Sequence, residues 1–249
     1  MLSKNQAKNI RALHRKKERR EQGLFLVEGE KIVAELLASN WRIEALYATS
    51  EFIDAYQTQL IAKNIDAVPC RAQTLASVGT LSSNNAALAV VQQAPAHIKT
   101  DASWVLALDN INDPGNLGSL LRIADWYGIQ QLVCSPNTVE LYNPKVINAS
   151  KGSFLRVAVQ QQALPEYFAS LPADKPIYGA YLDGESIHRI SPSKTSGVVL
   201  LGSEAHGISP ELAAFVTHKI TIPAFGAAES LNVGVAAAVI CDNLRRLTS

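Results

Sequence analysis

Short apolar segments alternate with segments of helical periodicity along most of the chain, and this alternation constrains the fold more than any other feature. In the second half, the strand-like segments are WVLALDN (104–110), IQQLVCSP (129–136), 177–181, 198–201 and 219–222. The helix-like segments cover 117–127, 143–152, 209–217 and 232–247. Apolar strands joined by helices are typical of a parallel sheet that is covered on both faces. We therefore predict a parallel-sheet α/β domain over residues 104–249.

The first half of the chain predicts a second, smaller domain. Its strand-like segments cover 24–29, 43–49, 65–70 and 86–92, with helices at 30–39 and 51–63 and a short helical turn at 72–78. These elements predict a small N-terminal α/β sandwich. Residues 95–103 lack periodicity and begin with a proline, so we assign them to a linker between residues 1–94 and residues 104–249.

The formal net charge of +1 hides a strongly basic start. Residues 1–22 carry eight basic and two acidic residues, a net charge of +6, and the rest of the chain carries 15 basic and 20 acidic ones, a net charge of −5. The eight basic residues are Lys4, Lys8, Arg11, Arg15, Lys16, Lys17, Arg19 and Arg20. Such an arm is typical of contact with RNA or DNA phosphates, because Lys and Arg release counterions from a polyanion. A solvated helix that aids solubility is the alternative.

Cysteine, histidine and hydropathy patterns argue against several classes of protein. Cys70, Cys134 and Cys241 lie far apart, and the five histidines have no metal-binding spacing, so we expect neither a disulfide framework nor a metal site. No apolar run is long enough to cross a bilayer, and the first ten residues lack the apolar core of a signal peptide. We therefore expect a cytoplasmic protein without a membrane partner.

Three loops of the second domain are candidates for chemistry, because ligands bind beyond the carboxyl ends of parallel strands. In the first loop, Pro114 and Gly115 predict a turn. Asn116 is expected to cap the helix that begins near Leu117, and Arg122 lies in the second turn of that helix. A capped helix with one surface arginine is the alternative interpretation.

The second loop, LLGSEAHGIS (200–209), places Glu204 between Gly202 and Gly207. Glycines allow a backbone to approach a ligand closely and to adopt positive φ. The loop has neither the GK[ST] of a phosphate-binding loop nor the GxGxxG of a dinucleotide site. A plain strand-to-helix turn is the alternative.

The third loop, IPAFGAAESLNVGVAAAVI (222–240), is shaped by Pro223 and Gly226. Ser230 or Asn232 is expected to cap the following Ala-rich helix. The small residues at the start of that helix leave room for close packing by another loop or by a partner subunit.

In combination, DPGNLGSLLRIA (113–124), LGSEAHG (201–207) and IPAFGAAESLNVGVAAA (222–238) closely resemble the three motifs of the SpoU family of RNA ribose 2′-O-methyltransferases. The stretch YNPKVINASKGSFLRV (142–157) is also similar to the family. The basic helix and FLVEGEKIVAELL (25–37) resemble the N-terminal RNA-substrate-binding domain of many members. The resemblance implies a member of the SPOUT class, whose C-terminal part is tied in a deep trefoil knot.

The resemblance also implies a cofactor and a set of residues that bind it. Family members hold S-adenosylmethionine with the second and third loops, mainly through backbone groups. Carried over to this chain, the cofactor-binding residues are Leu200, Gly202, Ile222, Pro223, Gly226 and Leu231. Members are usually homodimers with their knots packed together, and helix 232–247 would suit that interface.

The catalytic positions implied by the resemblance are Asn116, Arg122, Glu204, Ser230 and Asn232. We expect Arg122 to hold a phosphate and to stabilise the developing alkoxide of the ribose 2′-hydroxyl electrostatically. We expect Glu204 to orient Arg122 or the RNA, and Ser230 and Asn232 to fix the loop and the hydroxyl. No metal is required.

The sequence departs from the family pattern at two positions. Asn148 stands where many members have arginine, which removes one phosphate contact, and Gly234 stands where many have serine.

The N-terminal domain favours ribosomal RNA over transfer RNA as substrate. A non-catalytic RNA-binding assembly factor of the same fold is the main alternative, whereas a nicotinamide dehydrogenase is disfavoured because the glycine fingerprint is missing.

Overall fold

The structure is a computed structural model that describes residues 2–94, 103–190 and 196–248. The predicted linker therefore lies outside the described residues, except for residue 103. The chain divides into two compact units, Met1–Pro95 with Glu140–Leu155, and Ala96–Val139 with Arg156–Ser249. Residues 140–155, which the sequence assigned to the second domain, thus group with the first unit.

Helices and strands alternate along the chain as predicted, except that the strand and the helix between residues 158 and 169 were not predicted. The helices are α1 (Lys4–Ala12), α2 (Lys16–Gln22), α3 (Glu30–Ala38), α4 (Ser50–Ala55), α5 (Gln57–Ala62), α6 (Ala72–Val78), α7 (Pro114–Trp126), α8 (Pro144–Ser150), α9 (Leu164–Ala169), α10 (Pro210–Ala213) and α11 (Val233–Thr248). The strands are β1 (Leu24–Glu28), β2 (Ile43–Ala48), β3 (Ala67–Pro69), β4 (Ala87–Gln92), β5 (Trp104–Leu108), β6 (Gln131–Cys134), β7 (Ala158–Gln161), β8 (Ile177–Ser186), β9 (Gly197–Leu201) and β10 (His218–Thr221). A short 3-10 helix covers Ser153–Leu155.

The first unit is built on a four-stranded sheet in the order β1-β4-β2-β3. β4 pairs antiparallel with β1 and β2, and β2 pairs in parallel with β3. Residues 140–155 belong to this unit because α8 packs on β1 and because Tyr142 and Phe154 contact the rings of Phe25 and Trp41. These four aromatic rings bury apolar surface that could not be identified from any local pattern.

The second unit contains the predicted parallel sheet, in the order β10-β8-β9-β5-β6-β7. All five of its strand pairings are parallel. The strands β5 and β9 are buried along their whole length, which confirms the interpretation of their apolar runs. The carboxyl ends of these strands lie on one edge of the sheet, where the three candidate loops begin.

Strand β8 carries an irregularity that shapes this edge. Lys219 of β10 is opposite Gly179 of β8, but the next residue, Ile220, is opposite Glu185. Residues 180–184 of β8 therefore bulge out of the pairing with β10. Bulges of this kind redirect side chains, and they are common beside functional sites.

All three cysteines are free, and two of them are fully buried. Burial raises the pKa of the Cys134 and Cys241 thiols to about 12. Cys70 is partly buried, and desolvation raises its pKa as well. These thiols pack as small apolar residues.

Two features, a bilayer-spanning helix and a cluster of metal ligands, are absent from the described part of the chain. None of its helices combines the length and the apolar character of a bilayer-spanning segment. Its Cys, His, Asp and Glu side chains do not gather in any group of three that could hold a metal ion.

Candidate active site at the carboxyl edge of the parallel sheet

The three candidate loops meet in a cluster of hydrogen bonds. Asn232 Nδ2 donates to Glu204 Oε1 at 2.7 Å and to Asn116 Oδ1 at 2.9 Å. Asn116 Nδ2 in turn donates to the same oxygen of Glu204 at 3.2 Å. Asn116, Glu204 and Asn232 thus form one polar triad, although Glu204 and Asn232 lie 88 and 116 positions after Asn116 in the sequence.

The first loop reaches the triad through a helix cap that differs from the prediction. Asp113, not Asn116, caps α7, because its Oδ1 accepts the backbone N–H of Asn116 at 2.8 Å. The helix begins at Pro114, whose fixed φ suits the first turn. The prediction that Asn116 caps the helix was wrong, and its side chain is instead available to Glu204.

The third loop is held by the predicted cap of α11. Asn232 Oδ1 accepts the backbone N–H of Gly234 at 2.9 Å, and the Asn232 carbonyl accepts that of Ala236 at 2.9 Å. A Cβ at Gly234 would lie 3.2 Å from Asn232 Oδ1 and 3.5 Å from Ser119 Cβ of α7. A Cβ at this position would thus be tight against the capping oxygen of Asn232 but only in ordinary contact with α7.

The second loop depends on its glycines. Ser203 and Gly207 exchange backbone hydrogen bonds of 3.1 and 2.8 Å, and Gly207 has a φ of +66°. A Cβ at Gly202 would lie 2.0 Å from the Gly207 carbonyl carbon, so no other residue fits there without movement of the loop. Buried Asp109 fixes the far end of the loop, since its Oδ2 accepts the Ser209 N–H at 2.8 Å. The sequence analysis did not single out Asp109, because it lies within the strand-like segment 104–110.

A cavity of about 690 Å³ lies beside the triad, within the size range of small-molecule sites. Five of the six predicted cofactor-binding residues line it, namely Gly202, Ile222, Pro223, Gly226 and Leu231. Glu204 and Ser230 line it as well. Leu200 does not, because it is fully buried in the core of the second unit, and its assignment as a residue that shapes the cofactor site stays a prediction.

The cavity has a wall that the sequence did not predict. Residues 180–183 line it, and they belong to the bulge of β8. The sequence pattern predicted only an apolar strand that ends at residue 181. The bulge was not predicted because it depends on pairing with a distant strand, which leaves no local signal.

The charge of the lining favours a cation. Asp183, Glu204 and Glu229 contribute carboxylates, and the other titratable side chains among the described lining residues are His206 and Tyr181. None of the described lining residues is Lys or Arg. A phosphate group would therefore be repelled here, whereas a positively charged group would be attracted.

Arg122 is not part of the triad. It is exposed on α7, and its side chain makes no hydrogen bond or ion pair with any residue in the described ranges. The expected contact between Glu204 and Arg122 is therefore not present in this structure, in which Glu204 binds the two asparagines instead.

The basic arm folds as α1 and α2, and seven of its eight basic residues are exposed. Arg19 is the exception, being only 2% exposed. It forms an ion pair with Glu140 and donates to the carbonyls of Leu13 and His14 at 2.9 and 2.8 Å. The interpretation of Arg19 as an RNA contact is therefore corrected, because its guanidinium is used inside the first unit.

Comparisons with known proteins agree with this arrangement. Residues 103–242 match the SpoU rRNA Methylase family, and residues 4–89 match the MRM3-like substrate binding domain. The chain is 31% identical over 247 residues to the 23S rRNA (guanosine(2553)-2′-O)-methyltransferase RlmP of Bacillus subtilis, covering 98% of this chain and 97% of that protein. It is 24% identical over 243 residues to a 23S rRNA (uridine(2479)-2′-O)-methyltransferase of Streptomyces viridochromogenes, covering 92% and 84% of the two chains.

A solved structure extends the similarity to the fold of the whole chain. The AdoMet-bound rRNA methyltransferase from Sinorhizobium meliloti superposes with a TM-score of 0.87 at 25% identity, over 99% of this chain and 97% of that one. The family match covers more than half of the chain and includes all three loops of the triad. The chain belongs to the SpoU rRNA methylase family.

Proposed function

We propose that this protein transfers a methyl group from S-adenosylmethionine to a ribose 2′-hydroxyl of ribosomal RNA. The observation that carries the proposal is the triad of Asn116, Glu204 and Asn232 beside a cavity whose walls come from the loops of two family motifs. Membership of the family and the printed activities of its relatives support the same reaction.

The cavity fits S-adenosylmethionine in size and in charge. Gly202 and Gly226 line it and have no side chains, so they expose backbone at its wall, which suits an adenine that is held by main-chain groups. The carboxylates of Asp183, Glu204 and Glu229 complement the positive charges of the sulfonium and ammonium groups. When bound, the cofactor supplies an electrophilic methyl group on positively charged sulfur.

The residues of the chain position the hydroxyl and stabilise the charge that develops on it. Glu204 Oε1 is held by two amide donors, which leaves Oε2 to accept a hydrogen bond from the RNA. Ser230 lies on the same cavity wall and orients the hydroxyl. Arg122, exposed and without a partner among the described residues, binds an RNA phosphate and stabilises the developing alkoxide electrostatically.

The first unit recruits the RNA in this proposal. Residues 1–94 form the RNA-substrate-binding domain, residues 95–103 the linker, and residues 104–249 the methyltransferase domain, with 140–155 packed on the first. The exposed basic residues of the arm bind phosphates, namely Lys4, Lys8, Arg11, Arg15, Lys16, Lys17 and Arg20. The match of residues 4–89 to a substrate-binding domain supports this assignment, and the names of the relatives favour 23S rRNA over transfer RNA.

We further propose a trefoil knot in the second unit, a homodimer and a cytoplasmic location. The knot rests on the family resemblance of the second and third loops. The dimer is supported by apolar side chains left exposed on two helices that pack together, Trp126 of α7 at 84% and Val235 of α11 at 50%. The location follows from a ribosomal RNA substrate.

Calorimetric titration with S-adenosylmethionine separates this function from that of a non-catalytic assembly factor. We expect saturable binding of one cofactor per chain, together with transfer of labelled methyl to unmodified 23S rRNA. A protein that binds 23S rRNA but not the cofactor would be an assembly factor.

A further inference from the structure

A phenylalanine ring stands almost fully in solvent at the rim of the cavity. Phe225 is 95% exposed, and it belongs to the loop that also brings Ser230 and Leu231 to the cavity wall. A single exposed apolar side chain needs no explanation of its own, but this ring lies at the edge of the candidate site, where aromatic side chains commonly contact ligands. The catalytic roles proposed above do not use it.

A second apolar side chain stands on the neighbouring rim segment. Leu182, in the bulge of β8, is 78% exposed and also lines the cavity. The two segments are tied together, since Thr221 Oγ1, next to the start of the third loop, donates to the Leu182 carbonyl at 3.1 Å. The rim therefore presents apolar groups from two parts of the chain.

The charges of the rim decide which part of an RNA nucleotide these groups meet. Asp183 follows Leu182 directly, and Glu229 lies four residues after Phe225 on the same loop. Both carboxylates are exposed, so they repel a phosphate close to the rim. A cation near this rim is Lys219, whose Nζ lies 4.8 Å from the centre of the Tyr181 ring, whereas the charged residues of the cavity lining itself are acidic. The uncharged base is therefore the part of a nucleotide that the lining favours beside Phe225.

We propose that Phe225 stacks on the base of the nucleotide whose ribose is methylated, an inference that rests on the function proposed above. The ribose must reach Glu204 and Ser230, which line the same cavity, and its base projects from it by a single bond. An exposed aromatic ring stacks on the face of any base, and single-stranded RNA is commonly recognised in this way. Phe225 is thus a positioning residue for the target nucleotide rather than a contact of the cofactor.

The test compares four variants in methyl transfer to unmodified 23S rRNA made by transcription. Phe225→Ala is expected to raise KM for the RNA about tenfold, the size of one lost stacking contact, and to leave the Kd for S-adenosylmethionine unchanged in calorimetry. Phe225→Trp keeps a stacking ring and is expected to retain the KM of the unaltered protein, whereas Phe225→Leu keeps only the apolar surface and is expected to behave like Phe225→Ala. Ile61→Ala, which removes another exposed apolar side chain (72%) from the first unit, is the matched control and is expected to change neither constant.

Three results would overturn the proposal. An increased Kd for the cofactor in Phe225→Ala would make the ring a cover for the cofactor. A loss of the dimer in light scattering would make it an interface between two copies of the chain. Full activity of Phe225→Leu would show that apolar surface suffices without stacking. Failure of the unaltered protein to bind the cofactor or to transfer methyl would instead contradict the proposed function, so the two failures are distinct.

Discussion

Asn232 donates both hydrogens of its side-chain amide within the candidate site, one to Glu204 Oε1 at 2.7 Å and one to Asn116 Oδ1 at 2.9 Å. Its remaining oxygen accepts the backbone N–H of Gly234 at 2.9 Å. One side chain thus connects the cap of α11 to the polar groups of the other two loops. The arrangement engages Glu204 Oε1 twice, and we propose that Oε2 accepts a hydrogen bond from the RNA.

Replacement of Glu204 by glutamine tests the charge of the triad. Hydrogen bonds to a charged group contribute about 1.5–3 kcal/mol, and glutamine would place either a weaker acceptor or an additional donor before the two asparagines. We expect Glu204→Gln to lower kcat at least about tenfold in methyl transfer. Glu211→Gln, on the exposed first turn of α10, is the matched control and is expected to retain full activity.

Asn232 caps α11, and we propose that it also acts in catalysis; two substitutions separate these roles. Asn232→Ala removes the cap of α11, and we expect a loss of about 1 kcal/mol of unfolding free energy, together with loss of methyl transfer. Asn232→Ser restores a capping oxygen but has no amide to bind Glu204 and Asn116. We therefore expect Asn232→Ser to regain the Tm but not the activity, and recovery of both would mean that Asn232 serves only the helix.

Arg122 is expected to act on the RNA and not on the cofactor. Its side chain is exposed on α7 and does not line the cavity. Arg122→Ala should therefore abolish methyl transfer while leaving the calorimetric Kd for S-adenosylmethionine nearly unchanged. Full activity in this variant would remove Arg122 from the mechanism.

The basic arm is expected to set the salt dependence of RNA binding. Changing Lys4, Lys8, Lys16 and Lys17 together to glutamine should weaken binding and flatten the slope of log K against log salt by up to about 0.7–0.9 per lost phosphate contact. These lysines are exposed, so the substitutions should leave the Tm unchanged. An unaltered slope would mean that the arm does not bind RNA phosphates and only aids solubility.

Arg19 provides the contrast to those lysines, since it is buried and paired with Glu140. Arg19→Ala would leave that carboxylate without its partner, and we expect a loss of about 3 kcal/mol of unfolding free energy. Deletion of the whole arm would remove phosphate contacts and destabilise the first unit at the same time, because Ile10 and Leu13 are also buried there.

Alkylation of the cysteines tests the burial of the core. With a thiol pKa of about 12, Cys134 and Cys241 are thiolates at pH 8 in only about one molecule in ten thousand. We expect iodoacetamide to modify Cys70 first in the native protein, and the other two only after unfolding. Rapid labelling of Cys134 without unfolding would mean that β6 is less protected than its full burial indicates.

The sequence predicted those features that depend on local pattern. Apolar runs identified β5 and β9 and their parallel sheet, and Asn232 was one of the two residues expected to cap α11. The edge strand β7 was missed because it is only half buried and ends in two glutamines, which give no apolar run.

Features that depend on distant residues could not be predicted in this way. The burial of Arg19 depends on Glu140, which lies 121 residues away, and the cavity wall at 180–183 depends on how β8 pairs with β10. The cap of α7 was misassigned because Asp113 and Asn116 are both good capping residues, and only the position of Pro114 in the first turn decides between them.

The central claim is tested most directly by incubating the protein with labelled S-adenosylmethionine and unmodified 23S rRNA, followed by digestion of the RNA to nucleosides and mass spectrometry. We predict one nucleoside that carries the label on its ribose 2′-oxygen, formed by the unaltered protein and not by Arg122→Ala. Label on a base, or no label on RNA from a protein that binds the cofactor, would contradict it.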